Sequence, residues 1–352
     1  MPRPATCSIR ARATAKRPMP DRRNGSARLV EVHDLAARFV SREATVHAVN
    51  GVSFAVRAGE VLCILGESGS GKSVTLRALM RLLPRQARIE GSVRVDGEDV
   101  LAMPARRLRD LRGGLVSMIF QEPMTALDPV YTVGQQIGEA LRRHTGMARA
   151  AARARALELI ELVRIPSPER RLDAYPHELS GGLRQRAMIA MALSCNPRLL
   201  LADEPTTALD ATVQVQVLIL LRRLQRELGM GMIFVTHDLG VAAEIADTIA
   251  VMYAGRIVES GPVAAVLGAP AHPYTQGLLA STVHGQPRDR DIDAIPGSPP
   301  DMRRLPRGCS FAPRCAQRLP ACHIDVPEQR VPQPGRMAAC LRVYAPTPSC
   351  GC

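Results

Sequence analysis

The chain has 352 residues, enough for two or three packed units. Its net charge of +13 sits mainly at the ends, with +7 over residues 1–28, +4 over residues 285–352 and only +2 between them; a nucleic-acid enzyme carries its excess on the folded body, so no nucleic-acid partner is expected. No apolar run approaches the 18 residues of a membrane span, the Arg-rich start lacks the apolar core of a secretory signal, and the nine cysteines of a chain expected in the cytosol do not read as a disulfide framework.

Residues 1–28 are rich in Arg, Ala and Pro and read as a disordered basic tail, within which Met19 is an alternative start. Leu29 to His33 and Val52 to Arg57 predict strands, and Gly91 to Val95 before Asp96-Gly97 predicts a strand and turn, together a small, partly antiparallel sheet. Val61 to Leu65 is a short apolar strand. Val116 to Phe120 is another, ending at Gln121 and followed by a turn-rich segment to Pro129. From about Val133 to Val163 the spacing is helical, with Leu157, Ile160 and Val163 on one face, and a helical subdomain is expected over about 122–185. Ser180 is placed to cap a helix running to Leu193. Leu199 to Ala202 is a buried strand ending in Asp203-Glu204, Thr212 to Leu228 an amphipathic helix, and Met232 to Thr236 a strand ending at His237. Thr248 to Tyr253 and Arg256 to Glu259 flank Ala254-Gly255 as a hairpin. This alternation predicts an α/β fold with a mainly parallel sheet. Beyond Pro262 the patterning fades into a separate, loop-rich unit over 262–352.

The chemistry begins at Gly66-Glu67-Ser68-Gly69-Ser70-Gly71-Lys72-Ser73, between an apolar strand and a run of helix formers opening at Val74. Strand, glycine loop and helix make a phosphate cradle: the glycines let successive N–H groups face one anion, and the helix start adds its dipole. Lys72 is placed to reach β- and γ-phosphates, and the Ser73 hydroxyl to ligate Mg²⁺. Mg²⁺ also takes carboxylate oxygen, which Asp203 supplies; Glu204, next in the chain, is placed to polarise water. The helix start at Ser180-Gly181-Gly182 is a second, weaker phosphate candidate.

These motifs, in this order, resemble the ATP-binding subunit of ABC transporters over about residues 29–261. The resemblance implies a P-loop NTPase core with an antiparallel β subdomain, an inserted helical subdomain, and ATP with Mg²⁺ as ligands. It implies that Glu204 is the catalytic base, His237 the switch histidine, and Gln121 the link between γ-phosphate, Mg²⁺ and the helical subdomain. Phe39 aligns with the aromatic that stacks on adenine, and Asp210 with the loop residue crossing a head-to-tail dimer. In such a dimer Ser180, Gly181 and Gly182 face the partner's ATP. The fifth residue of that signature is usually Gln; here it is Leu183.

His272-Pro-Tyr-Thr, Ile295-Pro-Gly-Ser-Pro-Pro and Gly308-Cys-Ser-Phe-Ala-Pro-Arg-Cys315 resemble the C-terminal extension of dipeptide/oligopeptide importer ATPases. The partners implied are two transmembrane permease subunits, a second ATPase subunit (a paralogue or a second copy) and, indirectly, an extracytoplasmic substrate-binding protein, with the chain peripheral at the cytoplasmic side of the inner membrane. Nickel or another small solute is an alternative cargo. A soluble non-transport ABC ATPase is the alternative class, and the 105 residues between Ser73 and Leu179 leave little room for its usual long coiled coil. Cys309, Cys315, Cys322 and Cys340 follow a C-x5-C-x6-C-x17-C spacing that matches neither paired zinc ligands nor ferredoxins. The resemblance adds a [4Fe–4S] cluster to zinc and free thiols as their candidate states.

Overall fold

The computed structural model describes residues 28–207, 209–281 and 294–344. The expected tail apart from Arg28, Met19, Cys350 and Cys352 therefore lie outside the described residues.

The strands are β1 (Arg28–Val40), β2 (Thr45–Arg57), β3 (Val61–Leu65), β4 (Ala87–Val95), β5 (Glu98–Asp99), β6 (Val116–Ile119), β7 (Leu199–Asp203), β8 (Gly231–Thr236), β9 (Thr248–Tyr253), β10 (Arg256–Pro262), β11 (Arg330–Gln333) and β12 (Arg336–Ala338). They form a four-stranded antiparallel sheet, β2-β1-β4-β5, and an eight-stranded sheet, β11-β12-β10-β9-β3-β8-β7-β6. The larger sheet is parallel from β6 to β9 and antiparallel beyond it.

Its central strands β3, β7 and β8 are buried along their whole length, as unbroken apolar runs covered on both faces must be. Alternate residues of β3 feed opposite cores. Val61, Cys63 and Leu65 join the helices over one face; Leu62 and Ile64 join the antiparallel sheet and the helix Lys72–Leu79 on the other.

β1 is far longer than its apolar start at Leu29 to His33. Its pairing with β2 and β4 shifts register around His33 to Ala36, and Asp34 has φ +47°. That irregularity breaks the alternation by which the rest of the strand would be recognised. The region expected to be helical from Val133 to Val163 is two packed helices, Val133–Thr145 and Arg149–Leu162. Thr132 and Gln135 form a capping box at its start, and Gly146, with φ +73°, ends the first helix.

The chain beyond Pro262 is not packed apart from the rest. β12 pairs with β10, so the hairpin β11–β12 extends the main sheet. Tyr274 and Phe311 are buried against Tyr253 at the end of β9, with ring centroids 4.5 and 5.3 Å from it. Beneath them Glu259 on β10 is fully enclosed. It accepts from Arg336 Nη2 at 2.6 Å and from the backbone N–H groups of Ala271 and His272 at 2.9 Å each. Isolated anchors of this kind carry no periodicity, which is why the sequence reads as loop. No helix among the described residues is long and apolar enough to cross a membrane.

His272 is 2% exposed, and its Nδ1 accepts from the Tyr274 N–H at 3.0 Å. Burial holds its pKa down at about 4, against a smaller upward pull from Glu259. The unfolded chain takes up this proton near pH 6.5, so acid favours unfolding between about 6.5 and 4. Urea unfolding at pH 8 and pH 5 should give a stability loss about 2 kcal/mol larger in the wild type than in His272→Gln.

Candidate functional site

The glycine loop follows β3 and is held by two close approaches. A Cβ on Gly66 would lie 2.1 Å from the Met252 carbonyl oxygen on β9. One on Gly71, whose φ is +102°, would lie 2.3 Å from the Ala48 carbonyl oxygen on β2. The helix Lys72–Leu79 begins directly after Gly71 with no side chain capping its N–H groups, so its start stays open to an anion.

Lys72 Nζ lies back across the loop, donating to the carbonyls of Gly66 at 2.8 Å and Glu67 at 2.9 Å. It is also 3.7 Å from Glu204 Oε1. Burial lowers its pKa, with Glu204 and Asp203 pulling the other way. The Ser73 hydroxyl donates to Asp203 Oδ1 at 2.6 Å. Asp203 is fully buried at the end of β7. Burial raises its pKa, opposed by the Ser73 hydrogen bond and by Arg77, 3.9 Å away. Its Oδ2 is buried without a hydrogen-bond partner. A hydroxyl beside an orphaned carboxylate oxygen is the donor set a magnesium ion takes, so the residues fit that ion.

Glu204 stands next to this pair with φ +44°, a costly backbone for a non-glycine residue. Its Oε2 accepts from Thr207 Oγ1 at 3.0 Å and lies 3.2 Å from His237 Nδ1. β7 and β8 are adjacent parallel strands, so Asp203, Glu204 and His237 emerge at one sheet edge beside the loop. Lysine, two acids, a hydroxyl and a histidine thus meet in one place, able to hold a polyphosphate and activate a water.

Parallel pairing of β6 with β7 brings Gln121 out at the same sheet edge as Asp203. Gln121 is exposed after β6, and Phe39 is half-buried on β1 opposite Val46 and Ala87. Ser180 and Gly181 are exposed at the start of the helix Gly181–Leu193. Ser180 occupies the N-cap position, as expected, and its side chain makes no cap hydrogen bond. Asp210 caps the helix Ala211–Leu228 through Val213 N–H at 2.9 Å. Ser68, Gly69 and Val74 complete the loop, and the Ser70 carbonyl accepts from Gly255 N–H at 2.9 Å.

Cys309, Cys315, Cys322 and Cys340 line one pocket with Phe311 and Pro273. Cys309 N–H donates to the Cys322 carbonyl at 2.8 Å. Burial pushes the Cys309, Cys315 and Cys340 thiols up. No three His, Cys, Asp or Glu among the described residues are grouped to hold a single metal ion.

Sequence reasoning missed Tyr274 and Arg314. The Tyr274 hydroxyl accepts from Glu67 N–H at 3.0 Å, and Arg314 forks onto the Glu67 carboxylate at 2.8 and 3.2 Å. Both sit in motifs legible as C-terminal, but no spacing rule links a residue to a partner 247 positions away.

A parallel sheet with a phosphate loop, an Asp-Glu strand end and a histidine on the next strand defines an ABC-type nucleotide-binding cassette. Residues 49–207 match the ABC transporter family model, and residues 258–322 match that of the oligopeptide/dipeptide transporter C-terminal region. A putative peptide import ATP-binding protein of Brucella melitensis is 51% identical over 85% of this chain and 92% of its own. The oligopeptide transport ATP-binding protein OppD of Salmonella typhimurium is 48% identical over 89% of this chain and 93% of its own. The dimeric ATP-binding cassette MJ0796, solved bound to ADP and Pi, superposes with a TM-score of 0.61 at 29% identity, over 66% of this chain and 98% of that one. The chain belongs to the ABC transporter ATP-binding family and carries the oligopeptide/dipeptide type of C-terminal region.

Gly71→Ala puts a methyl group against the Ala48 carbonyl in a left-handed backbone, a strain of about 1–3 kcal/mol. Equilibrium binding of MgATP should weaken about tenfold or more, whereas Gly69→Ala, which meets no atom within 4 Å, should lose less.

Proposed function

We propose that this chain is the ATP-hydrolysing subunit of an importer that takes di- or oligopeptides across the cytoplasmic membrane. The observation that carries this reading is the joining, on one chain, of a complete phosphate site to the oligopeptide/dipeptide C-terminal region.

In this reading the loop N–H groups from Gly69 to Val74 cradle the triphosphate, and Lys72 leaves the carbonyls of Gly66 and Glu67 for the β- and γ-phosphates. Ser73 and Asp203, with Gln121, hold magnesium, which neutralises phosphate charge when bound. Glu204 takes the proton of the attacking water. His237, already at Glu204, orients it and steadies the γ-phosphate. Phe39 stacks on the adenine. Two ATPase subunits, this chain with a paralogue or a copy of itself, close head to tail. Ser180, Gly181 and Gly182 of one then complete the other's site, and Asp210 lies at the crossing; the exposure of Ser180 and Gly181 supports this. Met124, Val130 and Tyr131, all at least half exposed just after Gln121, suit contact with two permease subunits. In this reading the chain sits peripherally at the cytoplasmic face, with an extracytoplasmic binding protein delivering cargo.

The four C-terminal cysteines belong to the same proposal as holders of a [4Fe–4S] cluster. All four are free thiols and line one pocket. Four thiols are the donor set such a cluster takes, one per iron.

Uptake of labelled dipeptide, longer peptide and nickel by a strain lacking this protein tests the function. Wild type should restore peptide uptake. Glu204→Gln should not, and its ATP turnover in the assembled complex should fall about 10²-fold or more; restoration of nickel uptake alone would overturn the cargo. Anaerobically purified protein should carry about four iron and four sulfide per chain, both lost in Cys322→Ser; protein with neither would refute the cluster.

A further inference from the structure

The phosphate loop is held from outside the nucleotide-binding core. Glu67, its second residue, is gripped twice by the C-terminal region. The Tyr274 hydroxyl takes its backbone N–H at 3.0 Å, and the Arg314 guanidinium takes both its carboxylate oxygens at 2.8 and 3.2 Å. Arg314 is itself fixed. It is 8% exposed, its Nε donates to the Pro296 carbonyl at 2.9 Å, its Nη2 to that of Ile295 at 3.3 Å, and Nη1 also lies 3.4 Å from the Tyr253 hydroxyl. A planar fork with its donors engaged this way fixes a carboxylate in both position and orientation.

Glu67 passes the constraint inward. Its carbonyl accepts from Lys72 Nζ at 2.9 Å and from Ser70 N–H at 3.3 Å. The Gly66–Glu67 peptide, whose N–H Tyr274 holds, also carries the Gly66 carbonyl that accepts from Lys72 Nζ at 2.8 Å, so the residue fixed by Tyr274 and Arg314 is flanked by both carbonyls on which the phosphate-binding lysine rests. Two side chains more than 200 residues along the chain set the resting geometry of the loop.

We propose that Arg314 and Tyr274 are positioning residues for nucleotide binding: the C-terminal region acts as a brace that holds the phosphate loop, through Glu67, in the shape that receives ATP. This rests on the reading of the loop as the ATP site. Arg314 directly precedes Cys315, and Phe311 joins the ring cluster of Tyr253 and Tyr274, so the brace and the four-thiol pocket share one short segment.

The test uses the complex purified with its permeases, a fluorescent ATP analogue with Mg²⁺ for equilibrium affinity, and steady-state ATPase kinetics. Arg314→Gln should raise Kd and KM for ATP about five- to tenfold with kcat within about twofold, and Arg314→Lys should recover part of the loss. Tyr274→Phe, which keeps the ring in its packed place, should shift KM in the same direction by less. Glu67→Gln should resemble Arg314→Gln, and the double variant should be no worse than either single one. Unchanged affinity in Arg314→Gln, or a double variant showing the product of the two single losses, would overturn the brace; so would a fall in thermal stability with no change in KM. Failure of the wild type to bind the analogue would instead remove the ATP reading, and the brace with it.

Discussion

Two backbone contacts govern the site. Gly66 passes so close to the Met252 carbonyl, and Gly71 so close to that of Ala48, that neither position has room for a side chain. Met252 belongs to the parallel sheet and Ala48 to the antiparallel one. The loop is therefore keyed into the seam where the two sheets meet, and its position is set by the packing of both. A change in how the antiparallel sheet sits on the core would be felt first at the loop. The open start of the helix Lys72–Leu79 faces an anion while this seam holds its N-cap residue, Gly71, in a left-handed backbone.

Electrostatically, the site is built around charges that lack their final partner. Asp203 is enclosed with one carboxylate oxygen unused, and Lys72 is buried against carbonyls that serve as temporary acceptors. Burial pushes both groups toward their neutral forms. A polyanion with a divalent ion would serve both at once, giving lysine an anion besides Glu204 and the carboxylate a cation besides Arg77. The strained backbone at Glu204 fits the same pattern of structure held ready for a ligand.

Much of this was legible in the sequence because it is local. The glycine loop, the Asp203-Glu204 strand end and His237 each sit where an apolar run stops, and parallel strands of similar length bring such ends to one edge. What escaped was non-local or irregular. The shift near Asp34 hid most of β1, since alternation is the sign of a half-buried strand and a bulge erases it. Arg314 and Tyr274 escaped because a side chain's partner across 200 residues follows from packing, not spacing.

The hairpin β11–β12 has a further consequence for how this family can be trimmed or fused. Without it β10 would end the main sheet as an open strand, offering unpaired backbone groups to any passing chain, and Glu259 would keep its enclosed charge with no arginine opposite. With it, the outermost strand is the four-residue β11, which contains Pro332 and makes a poor template for further pairing. The C-terminal region is thus a finishing edge as well as an appendage: a cassette cut at the end of β10 would be left adhesive along that side, so recombination between transporters of this design should exchange the whole unit, β12 and Cys340 included, rather than the nucleotide-binding part alone.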